Sequence, residues 1–234
     1  MVKTIAVFGG TGNTGRYFVS HALQEDYRVQ ALLRNPAKLS INSPALIKVK
    51  GGLKDDEAIR QVVKGVHGVA FLAGYPRHTT KNGPMDGEML VGLKKVVAAM
   101  EAEGVRRLVV QVGGFTLLPG EPETSCLIKC CVKDLLLGTC LGEAVALADN
   151  ERMASYLLTK TATIDWTLAR PGQLAHSAPK GLVVDAKAAT QTVTFNDLAK
   201  WELDMMERDD VAAKGLFPGY STAHNSALLA DGQR

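Results

Sequence analysis

The stretch TIAVFGGTGNTGR, residues 4–16, decides how the rest of the chain is read. Thr4 to Phe8 is a short, mostly apolar run of strand type. Phe18 and Ala22, then Val19 and Leu23, recur four apart beyond the loop, which is the spacing of one helix face. Between strand and helix lies Gly10-Thr11-Gly12-Asn13-Thr14-Gly15, a G-x-G-x-x-G, preceded by Gly9. Such glycines serve a tight turn, a close backbone approach to a pyrophosphate, and close packing of helix on strand. The helix start adds unpaired N–H groups and a partial positive charge, a ready anion site. A Walker loop would need Gly-Lys-Ser/Thr, and here Arg16 follows Gly15. A bare glycine-rich turn is the plainer alternative. At the first strand and first helix of an alternating chain, dinucleotide binding is the better reading.

Outward from this unit the alternation continues. RVQALLR (28–34) and ALIKVK (45–50) read as strands, with Pro36 and Pro44 in the loop between. DDEAIRQVVKGV reads as a short helix capped by Asp55 or Asp56. GVAFLAG (68–74) and RRLVVQVGG (106–114) are continuous apolar runs, the form of strands buried on both faces. MLVGLKKVVAAMEAEGV between them is helical, stopped at Gly104, and IDWTLARPG is a further strand. Strand and helix in repetition predict an α/β protein with a doubly wound parallel sheet. The segments GLVVDA and TQTVTF are expected to pair as two short strands, followed by a helix, NDLAKWELDMMER, capped by Asn196. One domain over residues 1–225 is expected, with 124–148 as an apolar helical insertion, 175–225 as a small C-terminal substrate-side extension, and 226–234 as a tail.

The choice of dinucleotide falls to the end of the second strand. NAD-binding chains carry a carboxylate there for the ribose. This chain has LLRNPAKL, with Arg34 at that point, about twenty residues after Gly15, and Lys38 on the next turn. Arg34 can grip a 2′-phosphate through charge-assisted bonds, with Lys38 or Arg16 assisting, and no acidic residue competes. The expected cofactor is NADP(H).

Composition bounds the alternatives. The chain has 234 residues, a formal charge of +3 and 46% hydrophobic residues, and its basic residues are dispersed, so no nucleic-acid partner is implied. Cys126, Cys130, Cys131 and Cys140 lack metal-ligand spacing, so no metal site is expected and free thiols in a reducing compartment are. No signal peptide or membrane-spanning segment is read at Met1 or beyond, and the expected location is cytoplasmic.

IAVFGGTGNTGR, ALLRNPAKL, VAFLAG, VVAAMEAEGVRRLVV and DWTLARPG, in this order over most of residues 1–175, resemble the atypical short-chain dehydrogenase/reductases, the NmrA-like and biliverdin-IXβ (flavin) reductase-like branch. The resemblance implies a Rossmann-type sheet with NADPH across the carboxyl ends of the strands. Gly9, Gly10, Thr11, Gly12, Asn13, Thr14 and Gly15 would hold the phosphates. Leu72, Ala73 and Gly74 would line the nicotinamide half, with Val112, Gly113 and Pro171 beyond it, and Leu53 joins this cofactor set. Phe115, after the fifth strand, matches the flavin-reductase branch and is a candidate acceptor contact together with Leu174.

The chain departs from that family at its proton donors. A serine common at the end of the fifth strand is replaced by Val112-Gly113-Gly114, and the Gly-Asp after the third strand by Gly51-Gly52. Histidines near the nicotinamide in the flavin-reductase branch map to Asn150 and Gln173. Tyr156 and Lys160 have Y-x-x-x-K spacing, but the strand bearing Pro171 follows too soon for the superfamily's catalytic helix, so Tyr156 is read as packing and Lys160 as a solvated charge. Asn150, Gln173, Tyr156 and Lys160 remain the catalytic candidates. Tyr75, Arg77 and His78, in the loop after the fourth strand, are candidate substrate contacts. His21 is read as structural, and His67 lies on the amino-terminal side of a strand. The apolar insertion, 124–148, is a candidate lid, homodimer surface or partner face, and membrane binding through it is the least supported.

The function expected is an NADPH-dependent reductase of a flavin or another small aromatic or conjugated acceptor, which needs little acid/base help from the protein. The alternatives are an NmrA-like NADP-binding regulator without turnover, or a non-redox isomerase or cyclase on the same fold.

Overall fold

The structure, a computed structural model, describes residues 2–75, 87–121 and 144–221. Its centre is an eight-stranded sheet of β1 (Thr4–Phe8), β2 (Arg28–Leu33), β3 (Leu46–Lys50), β4 (Gly68–Phe71), β5 (Arg107–Gln111), β6 (Asp165–Ala169), β8 (Val183–Ala186) and β10 (Lys214–Tyr220). The order is β3-β2-β1-β4-β5-β6-β10-β8. All pairings are parallel except β10 with β8. Strand order reverses at β1, whose neighbours are β2 and β4, so a crevice opens at the carboxyl end of β1, where open α/β sheets bind ligands.

Among the described residues five α-helices cover the sheet: α1 (Asn13–Gln24), α2 (Asp56–Val63), α3 (Glu88–Glu103), α4 (Ala144–Leu158) and α5 (Phe195–Asp204). α1 packs on α5 over one face, while α2, α3 and α4 pack in a row over the other. The alternation of side chains along β1 feeds both layers. Ala6 and Phe8 join the core under α2, α3 and α4, where Trp166 and Met153 are also buried. Ile5 and Val7 join the core under α1 and α5 with Phe18 and Leu198. Burial on both faces is why β1, β4 and β5 read as unbroken apolar runs rather than alternating ones.

The expected doubly wound sheet is therefore present, and its C-terminal part departs from expectation in three ways. GLVVDA and TQTVTF both form strands but do not pair with each other. β8 lies antiparallel to β10, and β9 (Thr192–Thr194) pairs in parallel with β7 (Gln173–Ala175) in a separate two-stranded sheet. The strand β10 was not legible because Gly215, Pro218 and Gly219 interrupt its pattern. Pro218 is accommodated because tertiary pairing supplies the rest of the ladder. The cap of α5 is Thr194 rather than Asn196: the Thr194 hydroxyl accepts from Asp197 N–H at 3.0 Å. Asn196 instead meets His21 Nε2 through Oδ1 at 2.9 Å, tying α5 to α1. The cap of α2 is Asp55, which accepts from Ala58 N–H at 3.1 Å.

Candidate functional site

The β1–α1 turn is built by contact, not by composition alone. Gly9 has φ +92°, and a Cβ there would lie 2.6 Å from Ala73 N. A Cβ on Gly15 would lie 2.2 Å from Gly9 O. Larger residues would drive the loop off β4 and α1 off the loop. Gly12 donates its N–H to Gly9 O at 2.9 Å, closing the turn.

The start of α1 differs in chemistry from the starts of α2, α3 and α5. Its Ncap, Gly12, provides no side-chain acceptor, and the first turn holds no acid. The first helical N–H groups, those of Asn13, Thr14 and Gly15, thus have no intrahelical partner. Gly12 and Asn13 are exposed, whereas Thr14 and Gly15 are buried beneath them. An exposed, uncapped helix start at the sheet's switch point suits a pyrophosphate. Arg16 sits over the same turn, with Nε 3.3 Å from Gly12 O and one terminal nitrogen 3.4 Å from Asn13 Oδ1.

The other end of the crevice lies across β2. Arg34 and Lys38 are exposed, and among the described residues neither side chain has a carboxylate partner. Asn35 shapes this corner by accepting from Ala37 N–H at 3.1 Å, capping the short 3-10 turn Pro36–Lys38. Gly52 contributes by what it lacks. A Cβ there would stand 3.8 Å from Arg34 Cγ, so an acidic side chain at this position would reach the guanidinium. Gly51 has no such room, since its Cβ would meet that of Ala58 at 2.6 Å. Leu53, expected to line the cofactor, packs its side chain into the notch that Gly92 leaves on α3.

Leu72, Ala73, Gly74 and Tyr75 follow β4 at the carboxyl edge of the sheet, and Val112 to Phe115 follow β5 on the neighbouring strand. Val112 N–H donates to Ala169 O at 2.9 Å, and Gly113 is exposed. A Cβ on Gly113 would make only ordinary contact, 3.5 Å from Asn150 Nδ2, so a hydroxyl-bearing residue would fit where the chain has none. Gly114 has no such space, with Pro171 O at 2.5 Å from its Cβ position. Pro171 is buried, while Gln173 is exposed and accepts from the Thr192 hydroxyl at 3.1 Å. Leu174 is half-buried against the α1–α5 core. Asn150 is thus at the cleft through Gly113.

The side chains of Tyr156 and Lys160 are at the other end. α4 begins on the carboxyl side of the sheet and ends on the amino side, as a crossover from β5 to β6 must. Lys160 Nζ bonds both oxygens of Glu101, near the C-terminus of α3, at 3.0 Å, and lies 5.9 Å from the centre of the Tyr156 ring. Burial pushes the Tyr156 pKa up, against the smaller opposing pull of Lys160. A catalytic tyrosine of the Y-x-x-x-K kind needs the reverse. The pair is a fastening between α3 and α4, not part of the cleft. His67 likewise stands at the amino edge, 3.5 Å from Glu207. Arg77, His78, the four cysteines and 124–143 of the apolar insertion lie outside the described residues; 144–148 form the first turn of α4.

Two groups at the cleft had no sequence signal. Asp149 on α4 is fully buried, and its Oδ2 accepts from the Tyr75 hydroxyl at 2.6 Å, Met89 N–H at 3.0 Å and Leu90 N–H at 3.3 Å. It caps α3 from another element, because that helix's own Ncap is Gly87. Tyr75 also accepts from Glu88 N–H at 3.1 Å. Burial first, then the bond to Asp149, drives the Tyr75 pKa upward, so its hydroxyl keeps its proton. Arg170, two per cent exposed in its side chain, makes a two-pronged ion pair with Glu121 at 2.6 and 2.8 Å and donates to Thr116 O and Gly215 O. That pair fixes the loop beyond β5. Among the described residues no group of His, Cys, Asp and Glu side chains is placed to hold a metal ion. No helix among them is long and apolar enough to cross a membrane.

A doubly wound sheet with an uncapped glycine turn at its switch point defines a dinucleotide-binding protein. The chain belongs to the NAD(P)H-binding family, whose model matches residues 9–213. It is 25% identical over 221 residues to the oxidoreductase aflX of Aspergillus parasiticus, covering 89% of this chain and 79% of that protein. The oxidoreductase ylbE of Lactococcus lactis superposes with a TM-score of 0.73 at 18% identity, covering 99% of this chain and 97% of the other. A wide-type short-chain dehydrogenase/reductase of Veillonella parvula, solved in complex with NADP, superposes with a TM-score of 0.68 at 15% identity over 96% of this chain and 97% of that one.

Proposed function

We propose that the protein is an NADPH-dependent reductase of a flavin or another small conjugated acceptor. The observation that carries this reading is the pairing of an uncapped α1 start with Arg34, which has no carboxylate partner among the described residues, beside Gly52, next to strand ends where the described residues place no fitted acid/base group. Asn13, Thr14 and Gly15 N–H groups would hold the pyrophosphate, and Arg34 with Lys38 the 2′-phosphate. A bound nicotinamide supplies a hydride, so an electron-poor ring can be reduced with little proton transfer from the protein. The Tyr75 hydroxyl, already donated to Asp149 and held protonated, is not a ready acid. The oxidoreductase relatives support the redox reading, and a cytosolic setting with free thiols is compatible with it.

The test is purified protein with NADPH, followed by cofactor fluorescence and then by nicotinamide absorbance with and without FMN. Binding with FMN-dependent loss of NADPH is the expected result. Tight binding without loss for any conjugated acceptor overturns the reductase in favour of a nucleotide-sensing regulator, and substrate conversion without net NADPH loss overturns it in favour of a non-redox enzyme.

A further inference from the structure

Asp149 is an expensive residue to keep. It is wholly buried, and among the described residues its Oδ1 has no hydrogen-bond partner while Oδ2 takes three donors. A buried carboxylate oxygen without a partner costs folding free energy, and such groups are retained where they hold something in place. What Asp149 holds is Tyr75. The phenol is gripped at its tip, giving its proton to Asp149 and taking one from Glu88 N–H, while the residue as a whole stays half-exposed. The two bonds fix where the tip of the side chain stands, and packing of Tyr75 against the core under α2, α3 and α4 limits the turning of its ring.

The location gives this rigidity a use. Tyr75 stands four residues past Phe71 on β4, and Phe115 four past Gln111 on β5. Phe71 and Val110 are partners in the sheet register, so both aromatic residues emerge beyond adjacent strand ends. Ala73, two residues before Tyr75, is the residue whose backbone Gly9 approaches. Asn150, next to Asp149, lies against Gly113. Tyr75 therefore follows directly from the stretch that borders the nucleotide turn, on the side facing β5.

We propose that the Tyr75 ring is the platform on which a planar acceptor lies, and that Asp149 is the positioning residue that holds that side chain in place by its tip. This rests on the reductase reading for its choice of a flat conjugated acceptor. Aromatic rings prefer offset stacking at centroid separations near 4.5–7 Å, and a side chain anchored at its tip and packed on the core loses little freedom on binding. The hydroxyl serves orientation and is not a proton source.

The experiment measures riboflavin binding by its fluorescence and NADPH binding by the nicotinamide signal, in wild type, Tyr75→Leu, Tyr75→Phe, Asp149→Ala and Asp149→Asn, with thermal melting as the check of folding. Tyr75→Leu should weaken riboflavin by about tenfold or more, the scale of a lost aromatic stack, with NADPH affinity within about twofold of wild type. Asp149→Ala should weaken riboflavin through loss of ring placement, and Asp149→Asn should restore it, since the amide oxygen still accepts from Tyr75 and the α3 N–H groups. Tyr75→Phe should behave as Asp149→Ala does. Should Asp149→Ala fail to fold, Tyr75→Leu and Tyr75→Phe decide the matter.

Unchanged riboflavin affinity in Tyr75→Leu, equal losses for riboflavin and NADPH, or no riboflavin binding in wild type each overturn the platform. Riboflavin binding that depends on Tyr75, in a protein that never oxidises NADPH, upholds the platform while the reductase reading falls. FMN turnover indifferent to Tyr75 does the opposite.

Discussion

Arg34 and Gly52 show how one side chain and one missing side chain act together. Arg34 is an exposed cation at the end of β2, and the absence of a side chain at 52 leaves it unneutralised. Arg34→Glu should weaken NADPH by about 10- to 100-fold, as expected of a lost charge-assisted contact of about 1.5–3 kcal/mol, and leave NADH nearly unchanged. Gly52→Asp should act in the same direction by pairing with Arg34, and its effect should vanish in the Arg34→Glu background. Titration of both nucleotides checks this, and equal weakening of NADPH and NADH would count against a 2′-phosphate grip. Arg34 was legible in the sequence because the site lies at a fixed spacing from the glycine turn. The role of Gly52 was not, because its proximity to Arg34 is a contact between the ends of two paired strands.

At the scale of elements, helix starts sort by chemistry. α2 is closed by Asp55, α5 by Thr194 and α3 by Asp149, whereas α1 is left without a side-chain cap. The cap of α5 also joins its neighbours, since Asp197 Oδ2 receives the Thr194 hydroxyl at 2.8 Å, the Tyr220 hydroxyl at 2.6 Å and Lys180 N–H at 2.7 Å. Thr194→Ala should cost about 1–2 kcal/mol of stability by loss of that cap, measured by urea unfolding, with nucleotide affinity unchanged. A similar change at Gly12, Gly12→Ser, would offer α1 a cap of its own and set the hydroxyl against the phosphate. Its Cβ would stand 3.1 Å from Gly9 O, so the free protein should gain nothing from the cap, and NADPH binding should weaken, as read by melting with and without nucleotide. Sequence reasoning placed α1, α2, α3 and α5 but put the α5 cap at Asn196, because both residues are good caps and only packing against His21 separates them.

Across the whole molecule, one buried acid sets how stability responds to pH. Glu202 on α5 is fully buried, neither carboxyl oxygen has a hydrogen-bond partner among the described residues, and burial raises its pKa well above the ordinary carboxylate range. The folded protein therefore holds this proton to higher pH than the unfolded chain does. Below the unfolded value, about 4.3, the group is neutral in both states and carries no charge penalty. As pH rises through that value the unfolded chain ionises first, and stability falls until the folded carboxyl ionises as well. Glu202→Gln should remove this slope, so its stability relative to wild type should grow from about pH 4 upward. Chemical unfolding at several pH values checks this, and an offset independent of pH would show that Glu202 is not the source.

The sequence by itself determined the doubly wound sheet, the glycine turn that opens α1 and the place of Arg34 at the end of β2, because each depends on short-range periodicity or on a spacing counted along the chain. Apolar runs buried on two faces and four closely spaced glycines have few other structural uses. Only the tertiary structure decided the pairing of β8 with β10 and of β7 with β9, since short edge strands carry no information about their partners. It alone brought Asp149 from α4 to Tyr75 after β4, a hydrogen bond between residues 74 positions apart. It also set Lys160 on Glu101 and over the Tyr156 ring, away from the cleft, where a spacing motif taken alone would have put a catalytic pair. Local pattern fixes which elements form; which polar groups they bring together depends on how helices from distant parts of the chain end against the same sheet.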